Sequence, residues 1–204
     1  MLIRLLLLLW PSLITATHQT SFPPDLTRDE ASKAARYLVK STKTGELSTI
    51  MADTAPVASG FPYSSVEYYV DDCTSSGDVL FFLATISTHA KNIRAGSNVS
   101  LSIRDLSHKR VRPMSRARIS LFGELSRVDN DAEIDQAMKC FLKGHPDAKS
   151  WYIAHDFNVF VLHVTNTHYI GGFGDKHFIG WISGDLYHNS SALSVSHLVQ
   201  QNTL

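Results

Sequence analysis

The stretch from Val79 to Asp105 reads VLFFLATISTHAKNIRAGSNVSLSIRD, and it carries three structural signals in close succession. Its first part, Val79–Thr85, is an apolar run of strand length and predicts a β-strand. Ser87 can cap a helix and Gly96 can end one, so the residues between them predict a short helix. Val99–Asp105 alternates apolar and polar side chains, which predicts a second strand with one buried face. The stretch therefore predicts a helix inserted between two strands.

Further β-rich runs, separated by turn residues, continue this pattern on both sides. Six or seven strands with inserted helices fit an antiparallel Greek-key β-barrel better than a β-sandwich or a parallel α/β sheet. The predicted fold class is thus mainly β with inserted helices. The further predicted strands are Glu46–Ala52, Tyr63–Val70, Arg116–Val128, Asn158–Val164 and His168–Phe173.

Two longer helices are also predicted. Thr27 and Glu30 have the spacing of a capping box and precede a run of apolar residues at helical spacing, which predicts a helix from Arg28 to Ser41. A second apolar stripe predicts a helix over Asp131–Lys143, and Gly144 ends it.

The first residues combine an early positive charge, a short apolar core and a small-residue exit, which is the pattern of a secretory signal peptide. We expect residues 1–17 to be cleaved, an uncleaved anchor being the alternative, and no membrane span in the mature chain. The barrel domain is expected over residues 22–183. Residues 184–204 are rich in Ser, Asn and Gln and predict a polar, loosely structured tail, with a weak helix around 192–200.

Two N-glycosylation sequons, which begin at Asn98 and Asn189, agree with export. The chain has two cysteines, Cys73 in a predicted loop and Cys140 on a predicted helix, and an oxidising compartment would allow them to form a disulfide. The alternative is that Cys140 is a small buried apolar side chain. The sequence does not place the two residues within bonding distance, so both alternatives stay open.

The charges of the chain balance, with 19 Lys and Arg against 19 Asp and Glu. Without an excess of positive charge the protein offers no basic stripe to nucleic-acid phosphates, and we expect no nucleic-acid partner. Neither a G-x-S-x-G elbow nor an HExxH motif occurs, so no catalytic residue and no metal site is predicted. His163 and His168, close to a glycine-rich segment, keep haem or metal binding as a further alternative.

Three groups of segments follow one another along most of the chain. They are Gly45–Ile50 with Gly60–Ser65; Leu83–Ile93 with Val99–Ile103; and Leu121–Leu125 with His145-Pro146, Trp151, His155–Phe157 and Phe160. In this order they resemble the FMN-binding split-barrel superfamily, which includes pyridoxamine-phosphate oxidases, and within it the CREG family of secreted glycoproteins.

The resemblance implies a split-barrel fold and a homodimer with two equivalent clefts at the subunit interface. In flavin-using relatives the clefts hold FMN, whereas the exported CREG branch resembles them in fold and is not generally regarded as using flavin. We therefore expect no cofactor. The expected protein is a non-catalytic glycoprotein, secreted or in a vacuole or lysosome, that acts through contacts with a cell-surface or endolysosomal protein.

The alternative is an exported FMN-dependent oxidoreductase or flavin-binding protein. Groups at the start of the short helix would then bind the phosphate, and residues of the first two strands would contact the rest of the cofactor. The residues concerned are Ser87, Thr88 and Lys91 for the phosphate, Ser64 and Ser65 for further polar contacts, and Thr49 and Ile50 near the ring. Against this alternative, the second strand carries acidic residues and no basic one, which weakens phosphate binding.

Overall fold

The structure is a computed structural model that describes residues 26–106, 111–151, 156–174, 176–194 and 198. The predicted signal peptide over residues 1–17 lies outside the described residues, and so does His155. The helices are α1 (Arg28–Ser41), α2 (Thr88–Arg94), α3 (Asp131–Gly144) and α4 (Gly184–Asn189). The strands are β1 (Thr44–Ile50), β2 (Pro62–Asp71), β3 (Val79–Ala84), β4 (Val99–Arg104), β5 (Arg118–Arg127), β6 (Phe157–Ile170) and β7 (Ile179–Ser183).

The strands form one antiparallel sheet in the order β3-β2-β1-β4-β5-β6-β7. Strand β3 pairs with β6 as well as with β2, and this pairing closes β1 to β6 into a six-stranded barrel. Strand β7 extends the sheet beyond the barrel by pairing with the second half of β6. The predicted antiparallel barrel with inserted helices is confirmed. In the described ranges, no helix has both the length and the apolar character needed to cross a bilayer.

Strand β3 is buried on both faces, which explains its unbroken apolar sequence. Val79, Phe81 and Leu83 point into the main core inside the barrel. Leu80 and Phe82 point outward and pack in a second apolar cluster with residues of α3. Each strand face thus has an apolar partner, and alternation with polar side chains is not needed here.

Helix α1 begins and ends where the sequence predicts. Its capping box is present: the Thr27 N–H donates to Glu30 Oε2 at 2.8 Å, and the Glu30 N–H donates to Thr27 Oγ1 at 3.3 Å. The buried face consists largely of small residues, among them Ala31, Ala34 and Ala35, and it packs into the main core. Small side chains allow the helix backbone to approach the barrel closely.

Strand β6 corrects the prediction of two separate strands over Asn158–Val164 and His168–Phe173. It is a single strand of 14 residues, because the polar residues between the predicted strands also pair with β5 and β7. The register shifts between Phe122 and Gly123 of β5, opposite which β6 has one extra residue, Thr165. A Cβ atom on Gly123 would lie 1.9 Å from the carbonyl oxygen of His163, so the close approach of the two backbones requires glycine there.

The prediction of a loosely structured tail from Gly184 is wrong for Gly184–Asn189, which form α4, and the sequence did not predict the preceding strand β7. The Ser183 hydroxyl caps α4 by accepting from the N–H of Leu186. Tyr187 is fully buried and donates from its hydroxyl to the Gly77 carbonyl oxygen at 2.9 Å. A helix this short depends on tertiary contacts, and local sequence gives little sign of it.

Arg36 connects α1 to α4 and to the loop between β2 and β3. Its side chain is 5% exposed, and its guanidinium donates to the carbonyl oxygens of Ser76 at 2.8 Å, Tyr187 at 3.2 Å and His188 at 3.3 Å, and also to that of Ser75. The guanidinium carbon lies 5.2 Å from the centre of the Tyr187 ring. Arg36 thereby satisfies carbonyl groups from two segments that are far apart in the sequence.

The same loop is held by a disulfide between Cys73 and Cys140 of α3, whose Cα atoms lie 6.0 Å apart. The two residues are separated by 67 positions in the sequence. The disulfide therefore ties the β2–β3 loop to the helix that covers the outer face of β3.

We predict that the double variant Cys73→Ala/Cys140→Ala keeps the fold but loses about 4 kcal/mol of unfolding free energy, because an unfolded chain without the bond regains the entropy of an open loop of this length. Urea denaturation under non-reducing conditions measures the loss. Wild-type protein unfolded with a reductant present is the matched control and should show the same midpoint as the variant. An unchanged midpoint in the variant would contradict the prediction.

Candidate functional site

Helix α2 begins directly after β3 and turns two polar side chains toward the barrel. Ser87 is its N-cap, and the Ser87 hydroxyl accepts from the N–H of Ala90 at 3.2 Å. His89 and Asn92 are three positions apart and therefore share one helix face. Both are buried, with exposures of 1% and 2%. The sequence prediction of the site missed these two residues, although their spacing after the cap was a usable signal.

His89 links β1 and β2 through a continuous chain of hydrogen bonds. Its Nδ1 lies 3.0 Å from Thr49 Oγ1, and its Nε2 lies 2.9 Å from Ser65 Oγ. At one end of the chain, Asn92 Nδ2 donates to Thr49 Oγ1 at 2.9 Å. At the other end, Ser65 Oγ donates to Glu67 Oε1 at 3.1 Å. Two of the residues predicted to bind FMN, Thr49 and Ser65, thus meet at His89.

The donors in this chain assign the tautomer of His89. Because the Ser65 hydroxyl hydrogen points to Glu67, Ser65 accepts from His89, and Nε2 carries the ring proton. Nδ1 then accepts from the Thr49 hydroxyl. Burial lowers the pKa of His89 to about 4, which agrees with a neutral ring. Its Nε2 also lies 3.8 Å from Glu67 Oε1, a contact that favours the charged ring, but the burial of the imidazole outweighs it.

The remaining residues predicted to contact FMN lie around this chain without joining it. Ser64 is exposed on the other face of β2, where its hydroxyl oxygen accepts from the Ser48 hydroxyl at 3.2 Å. Ile50 ends β1 and is 41% exposed. On α2, Thr88 is half-buried and Lys91 is exposed.

Three of the hydroxyl groups predicted to contact FMN are already engaged within the protein. Thr49 is 1% exposed, and the Ser65 hydroxyl has partners on both sides. The Ser87 hydroxyl caps its own helix. The Glu67 carboxyl group lies beside Ser65, and burial raises its pKa, with an opposing effect of the Ser65 hydrogen bond. A cofactor that used these hydroxyl groups would have to replace internal hydrogen bonds beside an acidic group.

Both sequon asparagines are exposed. Asn98 borders a cavity of about 450 Å³ between the end of β1 and the end of α2, and Asn189 is the last residue of α4. A glycan has room at both side chains, and glycosylation at either stays a prediction.

The two histidines considered for haem or metal have different environments. His163 Nδ1 lies 2.9 Å from Asp78 Oδ2, and its Nε2 lies 3.1 Å from Ser126 Oγ. The His168 ring packs near the Trp181 ring, with 4.9 Å between centroids. Among the described residues, no group of three or more His, Cys, Asp or Glu side chains is arranged to hold a metal ion.

The outer face of the sheet from β2 to β7 presents small polar side chains between exposed apolar ones. The strand register aligns one row across six strands: Val66, Glu46, Ser102, Ser120, His168 and Trp181. The end residues Val66 and Trp181 are 63% and 58% exposed. We call this row of six residues the outer sheet face. Its two ends are exposed and apolar, and they can pack against another protein surface.

We predict that the stability of the protein falls as pH decreases from 6.5 to about 4, by up to about 3 kcal/mol from His89 alone. The unfolded chain protonates His89 near 6.5 and the folded chain only near 4, so this contribution is complete above that window and lost within it. Urea denaturation of wild type and His89→Gln at several pH values measures the difference.

Glu67 has the opposite sign, since a raised carboxyl pKa stabilises the folded state as pH falls, but it is present in both proteins and cancels from the difference. Parallel stability profiles for wild type and His89→Gln would show that His89 does not titrate in this way.

Comparison with known proteins places this geometry in a family. The family model described as CREG, beta-barrel, matches residues 26–189. Human protein CREG1 is 25% identical over 161 residues, which cover 74% of this chain and 72% of the human protein.

Two solved structures show the same fold. A haem-binding protein from Mycobacterium smegmatis is 25% identical with a TM-score of 0.67; the match covers 82% of this chain but 63% of that one, so this chain spans less than two thirds of its length. ChuZ from Campylobacter jejuni, at 18% identity, has a TM-score of 0.65 over 85% of this chain and 66% of its own. With the family model covering most of the chain and the split barrel present, the protein belongs to the CREG family.

Proposed function

We propose that the protein is a secreted or endolysosomal glycoprotein that acts as a homodimer through protein contacts, with no flavin chemistry in its barrel cleft. The observation that carries this proposal is the buried hydrogen-bond chain through His89. It occupies the hydroxyl groups of Thr49 and Ser65, which a bound flavin would need for its ring and for further polar contacts. A site whose polar groups are already paired gains little from a new anionic ligand.

Export is supported by features that favour an oxidising compartment. The Cys73–Cys140 disulfide is typical of secreted and endolysosomal proteins and rare in the cytosol. The exposed sequons at Asn98 and Asn189 and the signal-like start of the sequence agree with it. The human relative CREG1 carries the name of the same family.

Dimer formation is supported by the outer sheet face. Two copies of the outer sheet face can pack against each other about a two-fold axis. An axis parallel to the strands would bring the Trp181 end of the row in one copy opposite the Val66 end in the other. Each exposed apolar end would then be covered by the other.

The proposal is tested by the absorbance spectrum and the native and denatured masses of the glycosylated protein, purified from a eukaryotic secretion host. We expect no absorbance above the aromatic band, a native mass of two chains with glycans, and no additional small molecule. Flavin absorbance with a bound mass equal to FMN would replace the proposal by a flavin-dependent function. A Soret band would instead indicate that this chain binds haem, the ligand named for the Mycobacterium smegmatis protein.

We predict that Trp181→Asp weakens self-association by about 30-fold, since an aromatic side chain packed in an interface can contribute about 2 kcal/mol. Analytical ultracentrifugation over a concentration series measures the dissociation constant. Val57→Asp is the matched control, because Val57 is also exposed, at 71%, but lies in the β1–β2 loop away from the outer sheet face. Equal association of the two variants would exclude this face as the interface.

A further inference from the structure

Three neighbouring strands place a serine, a histidine and an aspartate in a row on the outside of the barrel. Asp78 immediately precedes β3, His163 lies on β6, and Ser126 lies on β5. Since β6 pairs with β3 on one side and with β5 on the other, His163 stands between the other two residues. Ser126 Oγ lies 3.1 Å from His163 Nε2, and His163 Nδ1 lies 2.9 Å from Asp78 Oδ2.

The hydrogen-bond roles in this row follow from the carboxylate. An ionised carboxylate only accepts, so His163 Nδ1 carries the proton, and its Nε2 accepts from the Ser126 hydroxyl. The second carboxylate oxygen, Asp78 Oδ1, accepts from the backbone N–H of Val164 at 3.0 Å and lies 3.9 Å from His188 Nε2. These contacts fix the carboxylate, and through it the ring, in one orientation.

The histidine and the serine of this group are accessible to solvent and therefore to a substrate. The Asp78 side chain is 17% exposed, whereas the His163 side chain is 54% exposed and Ser126 is exposed. A half-buried acid that orients a base, and an exposed base bonded to an exposed hydroxyl, provide the arrangement of an activated serine nucleophile. Ser126 and His163 lie on paired strands, which hold them more rigidly than loops would, and Asp78 immediately precedes a third strand.

From this geometry we propose that Ser126, His163 and Asp78 form a nucleophile, a general base and a positioning residue for the hydrolysis of carboxylic esters. This activity would be separate from the cleft at α2 and goes beyond the proposed binding function.

The strand that carries Ser126 also offers a place for a substrate. The register between β5 and β4 ends at Gly123, so among the described strands Glu124–Arg127 pairs only with β6. The Val128 N–H donates to the Val159 carbonyl oxygen in β6, so the N–H groups at every second position before it also point toward β6. The N–H groups of Leu125 and Arg127 lie at the other positions and therefore point to the opposite, open edge of β5. The two N–H groups flank Ser126 at a separation of about 7 Å, so either one of them can donate to a substrate carbonyl oxygen.

The site also has an apolar surface for an acyl group. Val161 pairs directly with Ser126 across β6 and shares its face of the sheet. Val161 and Val128 are partly buried at the margin of the apolar cluster around α3. The substrate class is thus an ester with a small acyl group whose carbonyl lies at the open edge of β5.

In the first step, Ser126 Oγ forms a bond to the ester carbonyl carbon while its proton passes to His163 Nε2. The carbon–oxygen bond to the alcohol then breaks, and His163 returns the proton to the leaving alkoxide. Water, deprotonated by His163, attacks the acyl-serine, releases the carboxylic acid and restores the Ser126 hydroxyl with the same proton. No oxidant, reductant or metal is required.

The test uses the glycosylated full-length protein with p-nitrophenyl acetate as substrate and a fluorophosphonate as a covalent probe. We expect slow turnover of the ester, and a phosphonylated Ser126 peptide in the mass spectrum after fluoride is displaced. Ser126→Ala should lose both, with turnover reduced by about 100-fold. Ser59→Ala is the matched control, because Ser59 is also an exposed serine but lies in the β1–β2 loop, where its hydroxyl donates to Asp53 Oδ1 instead of a histidine; it should react like wild type.

Asp78→Asn tests the positioning role separately from folding. We expect its kcat for the ester to fall by about 10-fold or more with KM unchanged, and its fluorophosphonate labelling to slow equally, while its circular dichroism stays that of wild type. The proposal is overturned if Ser126 is not labelled in the wild-type protein. It is equally overturned if Ser126→Ala keeps its turnover, which would indicate attack by a surface imidazole alone.

Discussion

The pairing of β3 with β6 is the constraint on which the rest of the structure depends. It closes the barrel, and it places β3 between an interior core and the apolar cover provided by α3. A strand buried on both faces must be apolar throughout, as Val79–Ala84 is. Both ends of this strand then have defined positions. Asp78 at its start lies beside β6, and Ser87 after its end starts a helix against β1 and β2.

The cleft next to α2 illustrates how one fold can carry different functions. The fold is shared with proteins whose names specify haem binding, but a fold does not determine a ligand. In this chain, a neutral, buried imidazole lies at the point where the hydroxyl groups converge. There the hydroxyl groups bond to other protein groups instead of to the oxygens of a ligand. We therefore favour a role for the surfaces of the protein.

Sequence alone predicted the elements that local patterns specify, such as α1 with its capping box and the apolar run of β3. It failed where tertiary contacts determine the secondary structure. The polar centre of β6 resembled a break between two strands, and α4, which was predicted as part of a loose tail, is stabilised by the burial of Tyr187. In the site, Thr49 and Ser65 were named but His89 was not, because the inward direction of its side chain depends on the docking of α2. The row of Ser126, His163 and Asp78 is dispersed over 85 positions of sequence and has no local motif.

Arg36 is a buried cation whose observed hydrogen bonds all go to backbone carbonyl oxygens of the β2–β3 loop and the end of α4. Neither segment can separate from α1 without leaving this charge and several carbonyl groups unpaired. The two segments and the first helix therefore form a single cooperative unit that opens as a whole, with correspondingly similar protection of their amides from hydrogen exchange. Helix α4 is in this way as firmly retained as α1.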